Sequence, residues 1–149
     1  MKLIIKQLDS HFISLANLRN THIPKEGWLK SIRQAIGIST TQLAKKLGVT
    51  RQSVTEMEQR EANGSITIKS LKEAANAMDL QLIYVLMPKD GSLELLIDRK
   101  ARELATKIVK RASHTMKLEN QENSTERILE AIEERTNQIK NASFKILWD

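Results

Sequence analysis

The sequence predicts a mainly α-helical chain: a five-helix body, one β-strand and a C-terminal helical extension. Three observations carry that prediction. Apolar residues recur every three or four positions in successive stripes between residue 3 and residue 139, broken by polar turns and by one apolar run of a different kind. Ser39, Thr50 and Thr67 each open one of these stripes, where a hydroxyl can cap a helix, and Gly37 and Gly48 each close one. That run at 80–87, LQLIYVLM, is β-branched, contains an aromatic residue and is bounded by Asp79 and Pro88, as a short strand would be.

At 149 residues the chain has room for one domain, or for one domain with an extension. Aromatic residues make up 3%, so Leu, Ile, Val and Ala must fill the core. The net charge of +6 points to a polyanionic partner. With no cysteine, disulfides, thiolate metal sites and cysteine nucleophiles are excluded, and a cytoplasmic location is expected. The opening MKLIIKQLDSHF is too short in apolar residues for a signal peptide. No run approaches the roughly 18 apolar residues of a membrane span, so no membrane partner is expected.

Taken in order, Leu3, Ile4, Leu8, Phe12, Leu15 and Leu18 form the stripe of a first helix over 3–18. Pro24 drives Ile23 out of the helical region. Trp28, Leu29, Ile32, Ala35 and Ile36 make a second helix ending at Gly37. The third starts at Ser39, points Leu43, Ala44 and Leu47 inward and ends at Gly48. The fourth starts at Thr50, buries Val54 and Met57 and ends at Asn63-Gly64. The fifth, capped by Thr67, puts Leu71, Ala74, Ala75 and Met78 on one face. Beyond the strand, a long helix starts at Ser92 and carries Leu93 to Met116 at helical spacing, with a basic outer face of Arg99, Lys100, Arg102, Lys107, Lys110, Arg111 and Lys117. A last amphipathic helix runs through Ile128, Leu129, Ile132 and Ile139, and the apolar end FKILWD docks on the body. The expected divisions are 1–24 for the N-terminal helix, 25–79 for the central domain, 80–88 for the strand and 89–149 for the C-terminal region. A lone strand leaves its backbone groups unpaired, and its simplest partner is the same strand of a second copy, through Leu80, Leu82, Ile83, Tyr84, Val85 and Leu86.

The stretch 39–58, STTQLAKKLGVTRQSVTEME, has the spacing of a helix-turn-helix unit. Ala44 sits where the two helices come closest, and Gly48 supplies the positive φ of the turn. Val49, Val54 and Met57 lock the second helix against the first. On these residues 25–79 resembles the phage-repressor (xenobiotic-response-element) type of helix-turn-helix domain. The resemblance implies that a recognition helix begins at Thr50 and presents Arg51, Gln52, Ser53, Thr55 and Glu56 to the major groove. There Arg can pair with guanine and Gln with adenine. Thr40, Lys45, Lys46, Thr50 and Arg60 suit phosphates around the rim. These repressors usually carry Gln where this chain has the shorter Thr40, which puts the bracing contact of that Gln in doubt.

Over its whole length the chain resembles the family called mobile mystery protein A, through PKEGWLKSIRQAIGISTTQLAKKLGVTRQSV, GSITIKSLKEAANAMDLQLIYVLMPK, the ARELA and SHTMKLENQ stretches and the terminal LWD. That family is usually encoded beside a Fic-domain protein of toxin–antitoxin type, so the resemblance implies an autoregulating, antitoxin-like repressor acting as a homodimer on an inverted-repeat operator in double-stranded DNA. MDLQLIYVLMP is similar to the strand of a repressor–antitoxin that partners a persistence kinase, in which two copies form an intermolecular ribbon. Thr115, Glu119 and Asn120 fit the loose motif of Fic inhibitors, whose Glu pairs with an arginine of the enzyme's ATP site. A chance match at a helix end is the plain alternative.

Against catalysis, His11, His22 and His114 are scattered, and no metal-ligand spacing, phosphate loop or nucleophile motif occurs. No enzyme activity, metal or cofactor is expected. The competing reading is a protein-interaction or inhibitor module that keeps the helix-turn-helix as scaffold and binds an acidic protein through its basic long helix.

Overall fold

The computed structural model describes residues 2–118 and 124–149. Helix α1 spans Lys2–Ser14 and is followed by a 3-10 turn at Ala16–Asn20. Helices α2 (Trp28–Ala35), α3 (Thr40–Leu47), α4 (Arg51–Ala62) and α5 (Ile68–Ala77) follow. Then come the long α6 (Leu93–Leu118), α7 (Thr125–Asn141) and a 3-10 turn at Phe144–Trp148. The chain divides into two compact units, one of residues 18–85 and one of residues 1–17 with 86–149.

The unit 18–85 is built on strong local signals. Ser39 accepts from the Gln42 amide while the Gln42 side chain accepts from the Ser39 amide, a reciprocal cap that fixes the start of α3. Gly48 closes the helix at φ 67, ψ 32, a left-handed conformation that costs a side chain about 1–2 kcal/mol. Thr50 and Thr67 cap α4 and α5 through the amides of Ser53 and Ser70. The four helices close over Leu29, Leu43, Ala44, Val54, Ala74 and Met78, with Ile38, Leu47, Met57, Ile66, Leu71 and Leu80 packed around them. Val49 departs from expectation. It is 41% exposed and helps the turn through its backbone, whose amide donates to the Ala44 carbonyl at 3.0 Å.

No strand is present among the described residues, so the one expected over 80–87 does not form within the chain. A strand needs a ladder partner, and no backbone bond of that kind reaches this segment. Leu80 packs instead on the helical core, and with Leu82 it borders a groove of about 300 Å³ beside Trp28, Ile32 and Leu71. Ile83, Tyr84 and Leu86 are exposed, at 72%, 69% and 88%.

In the other unit α6 and α7 run antiparallel, since Asp98 meets Lys140 at 2.6 Å and, further along α6, Arg102 meets Glu133 at 2.8 Å. Ala101 and Ala105, one turn apart, are fully buried and let the helices approach around Ile132, Ile139 and Leu147. The terminal turn docks through Leu147, as the apolar FKILWD leads one to expect. The expected stripe of the first helix is covered only in part, with Phe12 and Leu15 half-buried. Helix α1 stops at Ser14 and buries no residue, and Leu3, Ile4 and Leu8 are exposed. Its tie to α6 is polar: the Asp9 carboxylate accepts the Leu93 and Glu94 amides at 2.7 and 3.2 Å, capping the N-terminus of α6. Arg99 forks onto Asp90 at 2.7 and 2.9 Å and also reaches Glu103 at 2.8 Å. The guanidinium lowers both carboxyls below their ordinary values, and both carboxylates raise the Arg99 pKa.

Candidate nucleic-acid interface

Helix α4 is fixed from its inner face by two carboxylates one turn apart. Arg33 of α2 and Glu58 of α4 are 7% and 6% exposed. Arg33 Nε donates to Glu58 Oε1 at 2.5 Å, Nη2 to Oε2 at 3.2 Å, and Nη1 to the Ile38 carbonyl at 2.9 Å. Each charge is desolvated, and each is satisfied by a two-pronged partner, the condition under which a buried ion pair is tolerated. Glu61 then caps α2, accepting the Trp28 and Leu29 amides at 2.9 and 2.8 Å. Gly27, the residue before α2, has no side chain to do this and sits at φ 81, ψ 165, and a Cβ there would lie 2.6 Å from the Glu61 carboxylate.

With Glu58 and Glu61 turned inward, the opposite face and first turn of α4 are open to solvent. Arg51 and Gln52 are exposed, directly after the Thr50 cap. Arg51's side chain has no hydrogen bond or ion pair among the described residues. Gln52 lies 3.4 Å from Glu56, and Glu56 lies 3.9 Å from Arg60, so an (i, i+4) ladder runs along the helix from Gln52 to Arg60. Ser53 and Thr55 are half-buried. Ser53 Oγ is 2.8 Å from Thr50 Oγ1, and Thr55 Oγ1 donates to the Arg51 carbonyl at 3.3 Å. In the Thr50–Ser53 hydroxyl pair one O–H donates to the other, which leaves one O–H free to donate outward.

Around this turn Lys45 and Lys46, at the C-terminal end of α3, are exposed and without an ion pair among the described residues. Thr40, at the first turn of α3, is half-buried, and Gln42 rather than residue 40 braces that terminus. The arrangement brings Arg51, Gln52 and the Thr50–Ser53 pair together at the positive N-terminal end of α4, with Arg60 at the far end. Of the motif Thr115, Glu119 and Asn120, Glu119 and Asn120 lie outside the described residues. Thr115 is exposed on α6 and donates to the Arg111 carbonyl at 3.1 Å.

Sequence reasoning missed Arg33, Glu58 and Glu61. The available signal was weak: a cation facing inward on the Leu29–Ile32 side of α2, and two acidic residues three apart on a helix whose outer face is polar.

Residues 29–85 match the family model described as Helix-turn-helix. The chain thus carries a helix-turn-helix domain of the phage-repressor type, a module of DNA-binding transcription regulators. Comparison with curated proteins and with solved structures gives no match. Among the described residues no helix is long and apolar enough to cross a membrane, and no group of three His, Asp or Glu is placed to hold a metal ion.

Proposed function

We propose that this chain is a sequence-specific transcriptional repressor that binds an inverted-repeat operator as a homodimer. The observation carrying the reading is the first turn of α4, where Arg51 is exposed and uncommitted on a helix locked from behind by the Arg33–Glu58 pair. Arg51 and Gln52 read base edges, with Ser53, Thr55 and Glu56 beside them. Thr40, Lys45, Lys46, Thr50 and Arg60 hold phosphates. Dimerisation places the exposed Ile83, Tyr84 and Leu86 and the backbone groups of 81–87 against the same segment of a second copy, which gives two recognition helices for two half-sites. The resemblance to mobile mystery protein A extends the reading to an autoregulating, antitoxin-like partner of a Fic-domain protein.

The test is retardation of DNA taken from upstream of the chain's own gene. Arg51→Ala should weaken binding by about 1–3 kcal/mol per half-site and relax preference at one base pair of each. Lys46→Ala should weaken binding evenly across sequences and make the salt slope shallower by about 1 per bound subunit. Sequence preference that survives Arg51→Ala intact removes that residue from base reading. Sedimentation as a monomer on the operator removes the dimer.

A further inference from the structure

Helix α6 divides into two parts that differ in how their cations are neutralised. In the first, Arg99 has Asp90 and Glu103, Lys100 has Glu103 at 3.7 Å, and Arg102 has Asp98 and Glu133. In the second, Lys107, Lys110 and Arg111 are exposed, and none has an ion pair among the described residues. The nearby helix α7 carries Glu126, Glu130 and Glu134, and none of them pairs with these cations either.

Three physical points separate this strip from an ordinary solvated face. Positions i, i+3 and i+4 share one side of a helix, so the three charges stand together, opposite the buried Ala101 and Ala105. Lys107 and Arg111 are like charges at i, i+4, which destabilises a helix unless an anion lies over them. Helix α6 runs on to Leu118, so Lys107, Lys110 and Arg111 lie too far from its C-terminus to gain from the helix dipole, which acts within the last turn. From Arg99 to Thr115 the helix exposes no large apolar side chain, and a protein interface would need some to form its core.

We propose that Lys107, Lys110 and Arg111 form a second, sequence-independent contact to DNA phosphates. The inference rests on the reading of the chain as a DNA-binding protein. The three residues span about 6 Å of helix, and a duplex presents about one phosphate per 1.7 Å of its axis, so the two charge densities are comparable.

The experiment compares the full chain with the triple variant Lys107→Gln, Lys110→Gln, Arg111→Gln, with helicity checked by circular dichroism. Two duplexes of about two helical turns are used: one of random sequence, and one that the wild-type chain selects from a random pool. Affinity is measured between about 50 and 200 mM KCl. The expected result is a salt slope shallower by about two to three per bound subunit for both duplexes, with the preference for the selected duplex unchanged. A selected duplex bound with an unaltered slope overturns the strip and leaves the repressor reading standing. A wild-type chain that retards neither duplex overturns both. An unaltered slope together with lost binding to polyglutamate assigns the strip to an acidic protein and also overturns the proposal.

Discussion

The two units of this chain are held together by different physics. The helix-turn-helix unit buries its charges: Arg33 and Glu58 face each other in the interior, and Glu61 folds back to cap α2. The unit of α1, α6 and α7 keeps its charges at the surface, where Arg99, Arg102 and Lys140 lace neighbouring segments over a core of Ala101, Ala105, Ile132, Ile139 and Leu147. Exposed pairs are screened and tolerate rearrangement, whereas a buried bidentate pair admits one geometry. The difference suits the two tasks proposed for them. A helix that reads base edges must be held at a fixed angle, while a helix that offers cations to a backbone needs only to present them.

The comparison can be broken most forcefully at the buried pair. Arg33→Ala or Glu58→Ala leaves the partner charge buried and unpaired, and each should cost about 3–5 kcal/mol in thermal or denaturant unfolding. The double replacement Arg33→Met, Glu58→Leu should recover most of that loss. Arg102→Ala, which removes exposed pairs in the other unit, should cost about 1 kcal/mol or less. Equal costs at the two sites would erase the distinction.

A smaller effect is expected at Gly27. Gly27→Ala places a side chain in a backbone region costing about 1–3 kcal/mol and pushes the Glu61 carboxylate off the amides it caps. Unfolding midpoints should fall accordingly. An unchanged midpoint would mean that the Glu61 cap contributes nothing.

The smallest effect concerns pH. Asp90 and Glu103 have pKa values lowered by Arg99, so their contribution is complete above the ordinary values of 3.8 and 4.5 and fades as pH falls through the lowered ones. Glu103 is exposed and Asp90 half-buried at the surface, so the loss should be slight and further reduced by salt. In Arg99→Gln the acid side of the stability profile should be flatter. An identical acid limb in the variant would show that the cluster does not couple to folding.

How far the sequence disclosed this molecule depended on the range of each interaction. The caps at Ser39, Thr50 and Thr67 and the turn at Gly48 are written within four residues, so the helices of the helix-turn-helix unit were legible. The exposure of Arg51 and Gln52 followed from their place after Thr50. The Arg33–Glu58 pair, the Glu61 cap on α2 and the Asp9 cap on α6 join residues far apart in sequence, and no periodicity announces them. The α1 stripe misled because an amphipathic pattern states that a face is apolar without stating that anything covers it. The segment 80–87 has the composition of a strand, but composition supplies no ladder partner, and among the described residues no strand pairs with it.

The buried pair also constrains how this chain can vary over generations. Removing either member alone passes through a state with an unpaired interior charge, so the two positions are separated from any apolar solution by a deep intermediate trough. Arg33 and Glu58 should therefore behave as one inherited character. A drifting sequence either keeps both or must exchange both almost at once, even though neither is placed to touch a base.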